Sequence, residues 1–321
     1  MNKSWSNLII KNKDRKVRSG WIIIAVMATF YILQYYLSMI LVEIIRKILV
    51  ATGDINLKTN YFSEYANWLN DVGLQIVFQI LTDSLMIIIP IIVWRFIMKN
   101  PISEMGLHSY RIKKKEGYVG MLLGIFNCTV IFIITITIGG GHVTSWVPKI
   151  SPLTVSWILV FILVAFAEEI LNRGFFMAVL RRCKNIYFIM IVPSVIFGLI
   201  HIWNPDVTFL SVINIIIIGI LFSYMFIKSS NIWMCIGYHF TWNVFQGIIY
   251  GMPVSGLQVP GIITTQITHG NLLNGGMFGI EGGILTTFVN LLSFIFVWYY
   301  YRDSKYDFVS DKVNVTNIRI S

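Results

Sequence analysis

The chain has 321 residues, 56% of them hydrophobic and only 12% charged, a balance that excludes an ordinary soluble domain, in which about a quarter of residues carry charge. A net charge of +10 does not require a nucleic-acid partner here, because in so apolar a chain basic residues follow membrane topology and anionic headgroups. Cys128, Cys183 and Cys235 form an odd count without CxxC spacing and read as bystanders rather than a disulfide framework.

Apolar runs long enough to cross about 30 Å of hydrocarbon as helix fall near residues 20–43, 73–97, 118–138, 153–180, 185–202, 208–227, 232–250 and 281–301. They predict an all-α polytopic membrane protein of about eight spans. The first run follows a basic segment, but it is too long for a signal peptide and lacks a small-residue cleavage site before Glu43, Arg46 and Lys47, so it reads as a retained span. With the N-terminus inside, twenty of the basic residues fall on the cytoplasmic side, four outside (Arg46, Lys47, Lys58 and Lys149) and one, Arg173, within a span. Both termini are therefore expected in the cytoplasm. Residues 1–117 read as an N-terminal tail, two spans and a basic cytoplasmic loop (100–117); 118–301 as a six-span core; and 302–321 as a cytoplasmic tail. The glycine-rich stretch 251–283 contains no Lys or Arg and is expected outside, as a long ordered or re-entrant loop. Trp21, Trp298, Tyr299 and Tyr300 read as interfacial aromatics.

Residues 165–176, AFAEEILNRGFF, place Glu168, Glu169 and Arg173 inside the fourth run. Each ionisable group in mid-bilayer costs at least about 2.5–3.5 kcal/mol on insertion scales, so such groups are paired, hydrated or used. Glu169 and Arg173 are four apart, acid before base, and can pair along one helix face. Glu168 points about 100° away, shares its face with Asn172, and is the carboxylate left over. Two later runs carry histidines: FGLIH ends in His201, and HFTWN begins with His239, which shares a helix face with Asn243 four residues on. Two carboxylates, two imidazoles and a carboxamide from three spans make a plausible hydrolytic set: a base for water, oxyanion donors and a supporting arginine. Asp83, beside Thr82 and Ser84, reads as a cap for a neighbouring helix, with cavity lining as the alternative; His269 and Glu281 read as structural, and His108 and His142 as loop residues.

These residues resemble the CPBP family of intramembrane endopeptidases, which includes the Ras-converting type of CAAX prenyl endopeptidase and bacteriocin-processing or self-immunity proteins. The family's motifs EExxxR, FxxxH and HxxxN occur in order as Glu168, Glu169 and Arg173; Phe197 and His201; and His239 and Asn243. The resemblance covers about 118–301 and implies an endopeptidase in which Glu168 and His201 activate water while His239 and Asn243 stabilise the oxyanion. It implies a membrane-embedded or lipid-anchored peptide or protein as substrate, in a bacterial cytoplasmic membrane, with no nucleic-acid partner. No cofactor is expected on this reading. The alternative is a zinc site of Glu168 or Glu169 with His201 and His239, although no HExxH fixes two ligands on one turn. A non-catalytic immunity or peptide-binding protein of the same fold and an ion-coupled transporter are the competing functions. If the spans run straight, His201 falls near the outer end of the fifth while Glu168 lies mid-membrane, so either 171–184 runs past the membrane edge or the fifth span kinks at Pro193.

Overall fold

The computed structural model describes residues 10–11, 17–52, 72–267 and 269–310. Residues 1–9, 12–16, 53–71, Thr268 and 311–321 lie outside the described residues, and with them Lys58 and most of the expected cytoplasmic tails. Each of the eight expected runs contains a helix: α1 (Ser19–Thr52), α2 (Val72–Ile92), α3 (Tyr110–Thr137), α4 (Pro152–Glu169), α5 (Ile186–Ile200), α6 (Phe209–Ser229), α7 (Trp233–Asn243) and α8 (Ile284–Tyr300). Among the described residues six helical stretches are long and apolar enough to cross a membrane, while Ile284–Tyr300 is apolar but shorter. The chain is a helical multi-pass membrane protein.

The helix ends follow local chemistry. Ser151 and Thr154 form a capping box at the start of α4, Thr208 and Ser211 do the same for α6, and the Asn185 side chain caps α5 by accepting from the Phe188 N–H. Lys184 and Ser230 sit in the left-handed region and end the preceding helices in tight turns. One expectation is corrected. The basic stretch after Ser109 is helix rather than loop: α3 starts at Tyr110, and Lys113 is buried and faces Glu116 one turn on at 3.7 Å. Here charge suppressed the hydropathy signal without breaking the helix. The fifth run, for which a kink at Pro193 or a neighbouring segment 171–184 running past the membrane edge is expected, is one continuous α-helix across that proline.

The interruption lies instead in α4, which passes into a wider π-helical segment at Ile170–Phe176 before resuming at Met177–Leu180. Such segments concentrate at functional positions. Helix α7 similarly continues as a π-turn over Val244–Ile249.

Helix α7 lies directly against α3, and glycines set the separation. A Cβ at Gly120 would collide with the Met234 carbonyl oxygen, and one at Gly237 with the Gly117 carbonyl oxygen. Close backbone approach through small residues is how helices associate without a hydrophobic drive between them. Outward-facing Ile24, Ile32 and Ile40 of α1, Leu122 and Phe126 of α3, and Leu292 and Ile295 of α8 leave an apolar surface suited to lipid.

The glycine-rich segment 251–283, expected outside, has defined structure at its described residues. Strand β2 (Thr264–Ile267) pairs antiparallel with β1 (Gly141–Ser145), so His142, expected in a loop, lies on a strand opposite Gln266. Gly279 adopts φ 103°, and a Cβ there would meet the Pro253 carbonyl oxygen, so this turn, which leads into Glu281, requires glycine.

Gly120→Leu should force α3 from α7 and lower stability by about 1–3 kcal/mol, whereas Leu122→Ala on the exposed face should change it little. Thermal unfolding of both variants in the same detergent distinguishes them, and equal midpoints would refute the close-approach argument.

Candidate active site

The π-helical segment holds the first motif. Arg173 and Glu169 are both fully buried, with Arg173 Nη1 donating to Glu169 Oε1 at 3.0 Å. Arg173 Nη2 donates to the Gly219 carbonyl of α6 at 3.1 Å. Its guanidinium lies over the Phe197 ring of α5 at 4.8 Å and near the Phe222 ring of α6 at 5.2 Å, where cation–π attraction is strengthened by the absence of water. Phe197 also meets His201 edge-on, with ring centroids 4.9 Å apart. The phenylalanine of FxxxH thus covers the arginine of the first motif and flanks the histidine of its own.

The expected pairing of Glu169 with Arg173 is present, and Glu169 has a second partner. Its Oε1 also lies 3.1 Å from His239 Nδ1. A carboxylate only accepts, so Nδ1 carries the proton and the ring presents Nε2 to Glu168, whose Oε2 is 3.6 Å away. That separation is electrostatic contact rather than a hydrogen bond. Asn172, expected beside Glu168, donates from Nδ2 to the Glu168 backbone carbonyl at 2.9 Å. In His201 the ring Nδ1 lies 2.7 Å from the Phe197 carbonyl. A carbonyl accepts only, so Nδ1 donates and Nε2 of the neutral ring keeps a lone pair.

Glu168, His201, His239 and Asn243 line one cavity of about 390 Å³, together with apolar walls from Trp157, Phe161 and Trp242. His201 shares this void with Glu168 although it stands at the very end of α5. The wall on its side is built by the outer segment, through Val254, Ser255, Leu257 and Glu281, instead of by another span. Glu281, expected to be purely structural, also lines the cavity. Its Oε2 accepts from the Ser255 N–H at 2.6 Å, from Ser255 Oγ at 3.1 Å and more weakly from Gln246 Nε2 at 3.4 Å. Burial raises the Glu281 carboxyl above its ordinary range, while these hydrogen bonds and the nearby His201 pull the other way.

Helices α1 and α2 complete the enclosure with Gln34, Thr82 and Asp83. Asp83, expected as a cap, instead lines the cavity and accepts from Gln79 one turn back on its own helix at 3.0 Å. Sequence offered only one signal for it, a carboxyl in an apolar run; for Glu281, a loop position concealed the role. His269 lines no part of the cavity; its carbonyl accepts from Asn274. His108 is buried, and its carbonyl accepts from Trp233 Nε1.

Among the described residues no group of three His, Cys, Asp or Glu side chains is arranged around a common point for a metal ion; Glu169 Oε1 is shared by Arg173 and His239, while its Oε2 is buried without a partner.

Fold and site together define a multi-pass helical membrane protein with a polar, carboxylate-bearing cavity inside its bundle. Residues 150–245, spanning α4 to α7 and all three motifs, match the Rce1-like family of type II CAAX prenyl endopeptidases. Among curated proteins the chain is 29% identical over 111 residues to YdiL of Bacillus subtilis strain 168, whose name proposes a membrane peptidase; the match covers 35% of this chain and 41% of that protein. It is 27% identical over 150 residues to the uncharacterised YyaK of the same organism, covering 43% of this chain and 45% of the other. The chain thus spans less than half the length of either relative. No solved structure matches.

Removing one member of the buried pair leaves the other charge uncompensated, so Arg173→Met should cost about 3–5 kcal/mol of stability. Glu169→Gln combined with Arg173→Met should recover part of that loss, and unfolding in detergent would show it; a double variant as unstable as the sum of the singles would refute a coupled pair. For Glu281 the raised folded pKa means that its contribution to stability is full below the ordinary carboxylate pKa of about 4.3 and is lost as pH rises through the folded value. The stability of the native protein relative to Glu281→Gln should therefore fall with rising pH across that window, and parallel midpoint curves would show that burial does not perturb the group.

Proposed function

We propose that this protein is an intramembrane endopeptidase that hydrolyses a membrane-embedded or lipid-anchored peptide or protein in a bacterial cytoplasmic membrane, using a glutamate-activated water. The observation that carries the reading is the convergence of Glu168, His201, His239 and Asn243, from three helices, on one cavity. The match of α4 to α7 to an endopeptidase family supports it.

Glu168 takes a proton from a water held between its carboxylate and His201 Nε2, and the hydroxide adds to the scissile carbonyl carbon. The negative charge that develops on the carbonyl oxygen is met by Asn243 Nδ2–H and by His239 when its Nε2 carries a proton. The two glutamates flanking His239 compensate the positive charge this role requires. The proton held by Glu168 then passes to the amide nitrogen, the C–N bond breaks, and an acid and an amine leave. Apolar walls keep competing water out and strengthen each of these interactions.

Glu168→Gln removes the base with little change in shape and should lower turnover by about 10²–10⁴-fold. The measurement compares peptides released from membranes carrying native protein or the variant, each with and without a stringent chelator. Equal release by both proteins would sink the catalytic role of Glu168. Loss of activity on chelation, restored by zinc, would transfer the chemistry to a metal. Retention of a peptide without release by either protein would favour a non-hydrolytic binding or immunity function.

A further inference from the structure

Three carboxyl groups line the cavity, Asp83, Glu168 and Glu281, and no lysine or arginine does so. Two of the three are answered within the protein: Glu168 faces His239, and Glu281 accepts from Ser255 and Gln246. Asp83 is only half answered. Its side chain is 1% exposed, Oδ1 accepts from Gln79, and Oδ2 has no partner. Beside it, Gln34 of α1 donates to Thr82 at 2.7 Å, which leaves the Gln34 Oε1 buried and equally unpartnered. Two acceptor oxygens, one of them on a carboxyl group, thus lie buried without a donor on side chains that line the same cavity.

A carboxyl group in an apolar interior can ionise cheaply only when a counter-charge arrives with it. A neutral N–H or O–H would satisfy one lone pair and leave the charge. An ammonium or guanidinium supplies the opposite charge with three or five N–H donors, enough for both oxygens. Asp83 is also within electrostatic reach of Glu168 and His239, so a cation seated there stands next to the hydrolytic groups. We propose that Asp83, with Gln34, forms a subsite for a basic side chain of the peptide substrate, making a lysine or arginine near the scissile bond a specificity determinant. This rests on the peptidase reading of the same cavity. Both residues belong to α1 and α2, outside the segment matched by the endopeptidase family.

A site built to hydrogen-bond a polar group rejects the analogue that lacks it more strongly than an apolar pocket rejects a change in size. The test uses end-capped hydrophobic peptides in proteoliposomes, identical except for one lysine or its uncharged isostere norleucine, walked through successive positions. At one position the native protein should favour lysine over norleucine by about tenfold or more in kcat/KM. In Asp83→Asn that ratio should approach one, and in Asp83→Glu, which keeps the charge, it should be largely retained. Norleucine preferred at every position by the native protein, or a ratio unchanged in Asp83→Asn, would overturn the proposal. A binding arm separates this inference from the catalytic one. In Glu168→Ala, whose cavity still contains Trp157, Trp203 and Trp242, tryptophan fluorescence titrated with the same peptides should show tighter binding of the lysine form, abolished by adding Asp83→Asn. If that preference is found but native protein cleaves nothing, the peptidase reading fails and the cation subsite stands. Cleavage indifferent to the lysine would instead overturn the subsite and leave the peptidase reading in place.

Discussion

One oxygen atom ties the bundle together. Glu169 Oε1 accepts from Arg173 on its own helix and from His239 on α7. Through Arg173 the same centre reaches the Gly219 carbonyl on α6 and the face of Phe197 on α5. The four helices of residues 150–245 therefore meet at one buried ion pair. Such a pair is poor evidence of stability, since apolar replacements often do as well, and its attested use is to fix a unique arrangement. Here the arrangement fixed is a ring orientation: with Nδ1 held by Glu169, His239 has no choice but to turn Nε2 toward Glu168.

This explains why adjacent glutamates differ so sharply. Consecutive residues on a helix point about 100° apart, so one carboxylate can be fully buried among partners while the next opens to the cavity. The π-helical turn that begins immediately after Glu169 is where the helix departs from its regular ladder, and the charged residue that occupies it, Arg173, is committed in three directions at once. Helix α7, which receives the other end of the network, is held at its depth by glycine contacts with α3. The position of His239 and Asn243 is thus set from two sides, by close packing behind and by a charge in front.

Much of this was legible in the chain. Each of the eight apolar runs contains a helix, six helical stretches among the described residues being long and apolar enough to span, and four-residue spacing correctly paired Glu169 with Arg173 and placed His239 and Asn243 on one face, because helix periodicity is a local property. What was hidden depends on contacts between distant segments. Charge along Arg111 to Glu116 masked the first turns of α3, which are helical because Lys113 buries its stem beside Glu116. The path of His201 to the cavity could not be read from its run, since the wall that encloses it comes from residues fifty and more positions later. Glu281 and Asp83 looked structural because nothing local distinguishes a carboxyl that caps a neighbour from one that faces a void.

The outer segment follows from the same constraint that makes membrane proteins helical. Irregular backbone at membrane depth is tolerated only where its polar groups are answered by protein or by water in a cavity. Residues 251–283 meet that condition locally: Asn214 of α6 donates to the carbonyls of Glu281 and Gly283, Asn274 donates to the Gly139 carbonyl, and the Glu281 carboxyl gathers the Ser255 N–H. A segment pinned in this way can form one wall of a cavity without adding a span, and it places a carboxyl group within electrostatic reach of His201. A straight helix would present side chains along its whole length to both lipid and cavity. This segment turns Val254, Ser255, Leu257 and Glu281, near its two ends, to the cavity, which is how a histidine at the end of a short span comes to face the same void as a glutamate in the middle of a long one.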